Sequence, residues 1–505
     1  METPPVNAAA CLFETGAADH IALECGSRQI SYGELRRNVA RAAAAWQSLG
    51  LRADDRVVVF APDGIDWVEV YLGAIWAGGV AVGINPRLGL ADLAGILEES
   101  VVRFVWTTPA LVAEVAAMAA ALPQPPQVLA AAAARSADRW TGWTAEDCEP
   151  IEPVPRLPED MALWIGTSGT TGKPKGVIHT QGVAAPCAEF ARQILGAGAE
   201  DRLYATSKLF FAYALANSLF AGLRLGATVI LDPEWPSPER VLEMVEAHRP
   251  TMVLSVPTLY NKMLVTGIAA RLKPYGIRYF VSAGESLPAS VGERWREVTG
   301  VAPVSSYGTS ETLSLMLYTQ QDSGLLRPTP LTEVRYGDLD ADLPQRVWLR
   351  HPGIARGYWQ RPKESAEDFR EGWFSPGDMF LRRDGELEFA GRNDDLLKIA
   401  GQWVSTQWVE QALREACSDT VQELAAVGVK GADGLTAIAL FLVPSPQARE
   451  EAQRRLELGI AGLAGHKRPR WIHWVEALPQ TATGKLQRAR LSALHQERSP
   501  ELVSR

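Results

Sequence analysis

The chain has no apolar run long enough to cross a bilayer. Its longest mostly apolar stretch, Leu209 to Leu223, is interrupted by Asn217 and Ser218 and falls short of the ~20 residues a spanning helix needs. Cysteine is scarce: Cys11, Cys25, Cys148, Cys187 and Cys417 are scattered, show no metal-type pairing, and are odd in number. That excludes a disulfide framework and reads as reduced thiols. Basic residues are outnumbered, with a net charge of −9, which argues against nucleic-acid binding through the overall field. The N-terminus, METPPVNAAACLFETGAADH, lacks a basic segment followed by an apolar core, so a secretory signal is not expected. These absences lead us to expect a soluble cytoplasmic protein with no membrane or nucleic-acid partner.

Two catalytic signatures are also missing. No G-x-S-x-G nucleophile elbow and no Cys-His pair stands out, so covalent catalysis by a protein nucleophile is not indicated. The Gly-rich segment LWIGTSGTTGKPKGVIHTQ, Leu163 to Gln181, is not a Walker A loop. That loop needs glycine five residues before Gly-Lys and Ser or Thr after the lysine, where this chain has Thr167 and Pro174. What remains is an apolar run opening into small and hydroxylated residues, then two lysines around a proline. Gly166, Gly169 and Gly172 impose no Cβ penalty, so backbone N–H groups can turn inward on an anion. Polyphosphate is the expected ligand.

At 505 residues the chain exceeds one typical core, so at least two domains are expected. Ser31-Tyr-Gly-Glu34 is a capping box ahead of a helix with Leu35, Val39 and Ala42 or Ala43 on one face, ending at Gly50. A strand over Asp55 to Phe60, a helix in WVEVYLGAIWAGG and a strand in VAVGI follow, the alternation of a layered α/β domain. The Ala-rich stretch Leu111 to Arg135, broken by LPQPP, reads as helix, loop, helix, and the Pro- and acid-rich Glu149 to Pro158 as a connector. Strands are expected at Met252 to Pro257 and from Tyr279. Near the end, strands over Val421 to Val429, Leu435 to Val443 and Trp471 to Val475, with a helix over Gln447 to Leu463, form a small α+β domain of about 110 residues.

The string TSGTTGKPKG resembles the phosphate loop of the acyl-adenylate-forming superfamily, which includes acyl-CoA synthetases, luciferases and nonribosomal-peptide adenylation domains. Four further motifs follow in that family's order. VSSYGTSET, Val304 to Thr312, is similar to its YGxTE core, with Ser310 in place of threonine; Trp373-Phe-Ser-Pro-Gly377-Asp378 resembles the segment ending in TGD. The stretch Gly385 to Gly401, containing Gly391-Arg392-Asn-Asp394-Asp395, matches the hinge motif, and Leu478-Pro-Gln-Thr481-Ala-Thr483-Gly484-Lys485 resembles PxTxxGK. Lys208-Leu-Phe-Phe-Ala-Tyr213, with Asn217 after it, is similar to the benzoate-CoA ligase branch.

The resemblance implies a large composite N-terminal domain of layered α/β subdomains, residues 1–393, and a small mobile α+β C-terminal domain, 394–505, turning at Asp394. It implies ATP, Mg²⁺ and coenzyme A as cofactors or cosubstrates. Thr167, Ser168, Gly169, Thr170, Thr171, Gly172 and Lys173 would grip the phosphates that leave as pyrophosphate. Gly284, Glu285, Ser306, Tyr307, Gly308 and Thr309 would line the adenine side, and Asp378 and Arg392 the ribose. Ser310 would meet the α-phosphate, Glu311 would hold the magnesium, and Lys485 would bridge carboxylate and α-phosphate. Ala212, Tyr213, Ala283, Gly308 and Ser314 would line the acid pocket. Gly401, Trp403, Lys467, Arg468 and Arg470 would take CoA, Gly401 leaving room for the pantetheine arm.

These parts suit one reaction. A carboxylate is a poor electrophile until its oxygen attacks the α-phosphorus of ATP, giving acyl-AMP and pyrophosphate, after which a thiol attacks the carbonyl. Bringing two anions together needs the cationic and donor groups gathered by these motifs. The expected function is therefore an ATP-dependent aryl-CoA ligase. Benzoate-type ligases usually carry histidine three residues after the magnesium glutamate, where this chain has Ser314. That departure points to a substituted ring such as 2-aminobenzoate or a hydroxybenzoate. Two alternatives stand beside this reading: an adenylation enzyme loading an aryl acid onto a carrier protein, and an inactive nucleotide- or acyl-binding scaffold.

Overall fold

The computed structural model describes residues 6–131, 141–167, 175–319, 324–336, 344–383, 385–392, 396–399, 402–417, 420–431, 433–446, 448–479, 486–497 and 501–502. Contacts divide the chain into two compact units. One comprises Met1–Val334 with Trp348–Phe374, the other Arg335–Val347 with Ser375–Arg505.

The first unit is built on two sheets whose strands are buried on both faces. In one, Val80–Gly83, Arg56–Phe60, Phe104–Thr107 and Gln127–Ala131 run parallel; at its other side Met161–Thr167 pairs antiparallel with Lys175–Thr180, which pairs antiparallel with Gly357–Tyr358. In the second, Thr228–Leu231, Arg202–Ala205, Met252–Ser255, Tyr279–Ser282 and Val304–Tyr307 are parallel.

Side-chain alternation along each strand sorts residues into separate cores. Val57 and Val59 point to the same core as Leu203, Leu231 and Leu254, whereas Val58, Phe60 and Val105 face another with Leu93 and Leu97. Tyr204, Ile230, Val253 and Phe280 enter a third with Trp295. Between the sheets lie the helices Tyr32–Ser48 and Ile65–Trp76. The first starts on the expected capping box, Ser31 and Glu34 bonding reciprocally. The second is buried over most of its circumference, as a helix between two sheets must be.

One expected element is different. The Ala-rich stretch after LPQPP was expected to be a helix, but Gln127–Ala131 is a strand, paired with Phe104–Thr107. Alanine's helix propensity is worth only tenths of a kcal/mol per residue. Burying Val128, Leu129 and Ala130 while satisfying their backbone groups in the sheet outweighs it. The preceding helix, Val112–Ala119, is as expected.

The second unit contains the hairpin Asp378–Arg383/Glu386–Arg392, the hairpin Leu396–Ile399/Gln402–Ser405, and a sheet of Val421–Lys430, Thr436–Pro444, Trp471–Trp474 and Glu501–Leu502. Leu424, Ala426, Ile438 and Leu440 pack under the helices Thr406–Cys417 and Arg449–Gly462. The alternate residues Ala425, Val427, Ala439 and Phe441 pack on the side of Leu491, from the helix Arg488–Glu497. The packing boundary at 374–375 lies upstream of the expected turn at Asp394, because the hairpin Asp378–Arg383/Glu386–Arg392 groups with the second unit. Asp394 itself falls outside the described residues.

A buried acid anchors the start of the LFFAY segment. Both oxygens of Asp63 accept the Leu209 N–H at 3.1 Å, and Lys208, also buried, donates to the Asp232 carbonyl at 2.6 Å. Burial pushes Asp63 up to about 7, against the opposing pull of Lys208 and the Leu209 N–H. A carboxyl raised on folding stabilises the protein below its unfolded value, and that contribution is lost as pH rises through the folded value. The stability difference between the native protein and Asp63→Asn should therefore fall by roughly 2–3 kcal/mol between about pH 5 and about pH 8. Denaturant titrations across that range check it; a flat or rising difference would remove Asp63 as a buried ionisable anchor.

Candidate active site

In an open parallel sheet, the loops leaving the carboxyl ends of the strands converge on one side. Tyr279–Ser282 and Val304–Tyr307 are such neighbours, so Ala283, Gly284 and Glu285 leave beside Gly308 to Glu311. Gly284 has φ +86°, a turn that glycine enters without strain. Glu285 accepts the Thr258 hydroxyl at 2.6 Å and its N–H at 3.3 Å. Gly308 is required for another reason: a Cβ there would come within 2.8 Å of the Ser314 carbonyl.

The segment from Thr309 to Ser314 is held by its own hydroxyls. Thr309 N–H donates to Thr312 Oγ1 at 2.8 Å and the Ser314 N–H to the Thr312 carbonyl at 2.6 Å, while Leu313 sits at φ +56°. Left-handed backbone at a leucine is strained and persists only where its surroundings hold it. One holder is Asn217, whose Oδ1 accepts the Leu315 N–H at 3.3 Å and whose amide donates to the Leu313 carbonyl at 3.4 Å and the Tyr213 carbonyl at 3.1 Å. Asn217 lies in a π-helical stretch, Leu215–Phe220, directly after Ala212–Ala214. It therefore ties the segment carrying Ala212 and Tyr213 to the one carrying Ser310 and Glu311. Tyr213 also donates its hydroxyl to the Val281 carbonyl at 2.9 Å, two residues before Ala283.

A second holder is His179. Burial holds its pKa down to about 4, so the ring is neutral, and its Nε2 lies 2.8 Å from the Ser310 carbonyl. A carbonyl only accepts, so Nε2 carries the proton. Ser314 is buried, with its Oγ 3.5 Å from Cys187 Sγ. Glu311 is half-buried; its carbonyl accepts the Ala355 N–H at 2.8 Å and its Oε1 lies 3.0 Å from the Tyr358 hydroxyl. Burial, then the carboxylates of Glu311 and Asp368, push that phenol well above its ordinary value. Ser306 Oγ and Thr309 Oγ1 are buried with no partner among the described residues, which suits polar groups waiting for a ligand.

Thr167, the last residue of its strand, pairs in register with Lys175, the second lysine of the Gly-rich loop, so the described hairpin holds both ends of that loop. Ser168, Gly169, Thr170, Thr171, Gly172 and Lys173 lie outside the described residues. So do Gly401 and Lys485.

In the second unit, Asp378 and Arg392 are register partners across the hairpin, Arg392 Nε lying 3.8 Å from Asp378 Oδ1. Two residues from separate motifs are thus neighbours across the hairpin. Trp403 is about half exposed, on the strand Gln402–Ser405, with Lys398 Nζ 5.8 Å from its ring. Lys467 Nζ sits 3.7 Å from the ring of exposed Trp408. Arg468 is spent on the Leu463 and Ala461 carbonyls, both at 2.8 Å, and Arg470 on Asp433 at 2.6 Å. Of the three basic residues expected at CoA, only Lys467 projects without a carboxylate or carbonyl partner described for it.

The family of AMP-binding enzymes matches residues 13–359, well over half of the chain. The chain belongs to that family. A 3-hydroxybenzoate–CoA ligase of Aromatoleum sp. (strain CIB) is 37% identical to it, with 95% of this chain and 94% of that protein covered. The benzoate CoA ligase of Burkholderia xenovorans LB400 superposes with a TM-score of 0.84 at 32% identity, covering 96% and 99% of the two chains. An anthranilate CoA ligase solved in complex with anthranoyl-AMP gives a TM-score of 0.87 at 27% identity, covering 98% of each. These span both units of this AMP-binding enzyme, including the part beyond residue 359. Among the described residues, no helix is long and apolar enough to cross a membrane.

Sequence reasoning missed His179, Asn217 and Tyr358 as parts of the site. His179 lies inside the quoted Gly-rich segment and Asn217 just after the quoted LFFAY segment, but their partners, Ser310 and Leu313, are far away in the chain, as Glu311 is from Tyr358.

Proposed function

We propose that this protein is an aryl-CoA ligase: it joins an aromatic carboxylic acid to AMP at the expense of ATP, releases pyrophosphate, and passes the acyl group to CoA. The observation that carries the reading is the Asn217 bridge, which fastens the aryl-type segment Ala212–Tyr213 to the Ser310–Glu311 segment of an AMP-binding enzyme. Acid pocket and nucleotide loop form one construction.

In the first step Ser310 meets the α-phosphate, with Tyr307 against adenine and Ala283, Gly284 and Glu285 along its edge. The orphan hydroxyls of Ser306 and Thr309 supply further donors. Among the described residues no group of three or more His, Cys, Asp or Glu side chains could hold a metal. A half-buried glutamate is a hard oxygen donor that suits an ion binding one or two carboxylates plus phosphate oxygens, so Glu311 fits magnesium. Magnesium there would neutralise phosphate charge as the carboxylate approaches. Lys485 offsets the remaining repulsion, Asp378 and Arg392 take the ribose, and the Thr167–Lys173 loop takes the departing pyrophosphate. Lys467 and Trp403, with Gly401, are proposed to receive CoA; the internal bonds of Arg468 and Arg470 give them a smaller share.

Supplying a hydroxybenzoate, ATP, magnesium and free CoA, with no carrier protein, should give the aryl-CoA thioester by mass spectrometry. Acyl-AMP accumulating without thioester would favour a carrier-protein acceptor, and no reaction with any aryl acid would favour a scaffold.

The acid is proposed to be a hydroxy- or amino-substituted benzoate. Ser314 Oγ and Cys187 Sγ form a small polar contact at a wall where benzoate-type ligases usually place a ring. Ser314→His should shift the ratio of kcat/KM toward unsubstituted benzoate by roughly tenfold. An unchanged ratio in competition assays would remove Ser314 as a specificity residue.

A further inference from the structure

The Tyr358 hydroxyl lies 3.0 Å from Glu311 Oε1 and 3.0 Å from Asp368 Oδ2. A phenol has one proton, and ionised carboxylates only accept. It can serve one of the two at a time. Its ring has little freedom: Tyr358 is buried, Phe369 packs edge-on at 5.4 Å, its backbone N–H donates to Ser365 Oγ at 2.9 Å, and Lys175 Nζ lies 4.8 Å from the ring centre. Turning the O–H about its C–O bond is the motion left, and that motion selects between Glu311 and Asp368.

Asp368 is the last residue of the short helix Pro362–Asp368. A carboxylate at that end faces the negative pole of the helix, so helix stability does not account for it. What it touches is Tyr358. Lys175, on the ring's face, closes the Gly-rich loop, so this ring stands between the phosphate loop and Glu311.

We propose that Tyr358 and Asp368 are positioning residues for Glu311. Without nucleotide, the phenol donates to Glu311 and fixes its carboxylate. When Glu311 takes the cation that accompanies ATP, the phenol turns its proton to Asp368. A hydrogen bond left on Glu311 would draw charge from either oxygen and weaken it as a ligand; Asp368 gives that proton another acceptor. The phenol keeps its proton throughout, and no covalent bond changes. This rests on the proposal that Glu311 binds magnesium.

The test is equilibrium binding of a fluorescent ATP analogue as magnesium is varied, without acid or CoA, so no turnover enters. Asp368→Ala should raise the magnesium concentration at half-saturation by roughly fivefold, the scale of one hydrogen bond to a charged group. Binding in EDTA and the melting temperature should stay at native values. Asp368→Asn, whose carbonyl oxygen still accepts, should lie near the native midpoint. Tyr358→Phe, which removes the proton that would stay on Glu311, should leave the midpoint at or below the native value, and adding Asp368→Ala to Tyr358→Phe should change it by less than about twofold. A native midpoint in Asp368→Ala, or effects that multiply in the double variant, would overturn the proposal. Glu311→Gln separates the two layers: a native midpoint there means that Glu311 does not bind the ion. A raised midpoint in Glu311→Gln with none in Asp368→Ala means that only the Tyr358–Asp368 assignment fails.

Discussion

Replacing Lys485 with alanine is expected to cut acyl-AMP formation by roughly two to three orders of magnitude, the scale seen when one preorganised donor to a developing charge is removed. The reason is electrostatic. A carboxylate approaching the α-phosphate meets a polyanion, and the ammonium of Lys485, in the Thr481-Ala-Thr483-Gly484-Lys485 motif, is the group proposed to bridge them. Thiolysis needs no such bridge, because acyl-AMP is already activated and the nucleophile is a thiolate. Supplied acyl-AMP should therefore be converted to thioester by Lys485→Ala at close to the native rate. Separate assays of pyrophosphate release and thiolysis read the two steps. Native pyrophosphate release would mean that another group makes the bridge, with Lys175 and Lys173 the next cations to examine.

The second large effect concerns Asp394. The two half-reactions are proposed to need different surroundings at one carbonyl: Lys485 for the first, a path for a thiol for the second. If the small domain turns about Asp394 to provide both, Asp394→Pro, which fixes φ and removes an N–H, should hold one setting. One half-reaction should then fall by at least about a hundredfold while the other changes by less than about tenfold, a difference that misplacement of reacting groups readily produces. Equal losses in both assays would sink the hinge assignment.

Much of this was readable from sequence because the chemistry clusters locally. Tyr307, Ser310 and Glu311 fall within five consecutive residues, so one strand-to-loop exit presents them all. Ala212 and Tyr213 are adjacent for the same reason. Asp378 and Arg392 came from two separate motifs, and the hairpin makes them register partners. The Ser31 capping box and the strand over Asp55 to Phe60 were equally local signals.

What stayed hidden depends on distant partners. Nothing around His179 says that its ring will meet the Ser310 carbonyl, and nothing around Asn217 says that it will grip the Leu313 carbonyl and the Leu315 N–H on either side of Ser314. Gln127–Ala131 was misread because propensity is a weak local term and its strand neighbour, Phe104–Thr107, decides the outcome. Asp368 looks like one more surface acid in KESAED until folding sets it against Tyr358.

The central claim is that these segments form one acyl-adenylating centre for aromatic acids. Its most direct test is exchange of labelled pyrophosphate into ATP, without CoA, across a panel of carboxylic acids. The account predicts exchange that depends on magnesium and on the acid, strongest with hydroxy- or amino-benzoates and weak with acetate or long-chain acids. Exchange driven best by an aliphatic acid would contradict the aryl pocket, and no exchange with any acid would contradict adenylation itself.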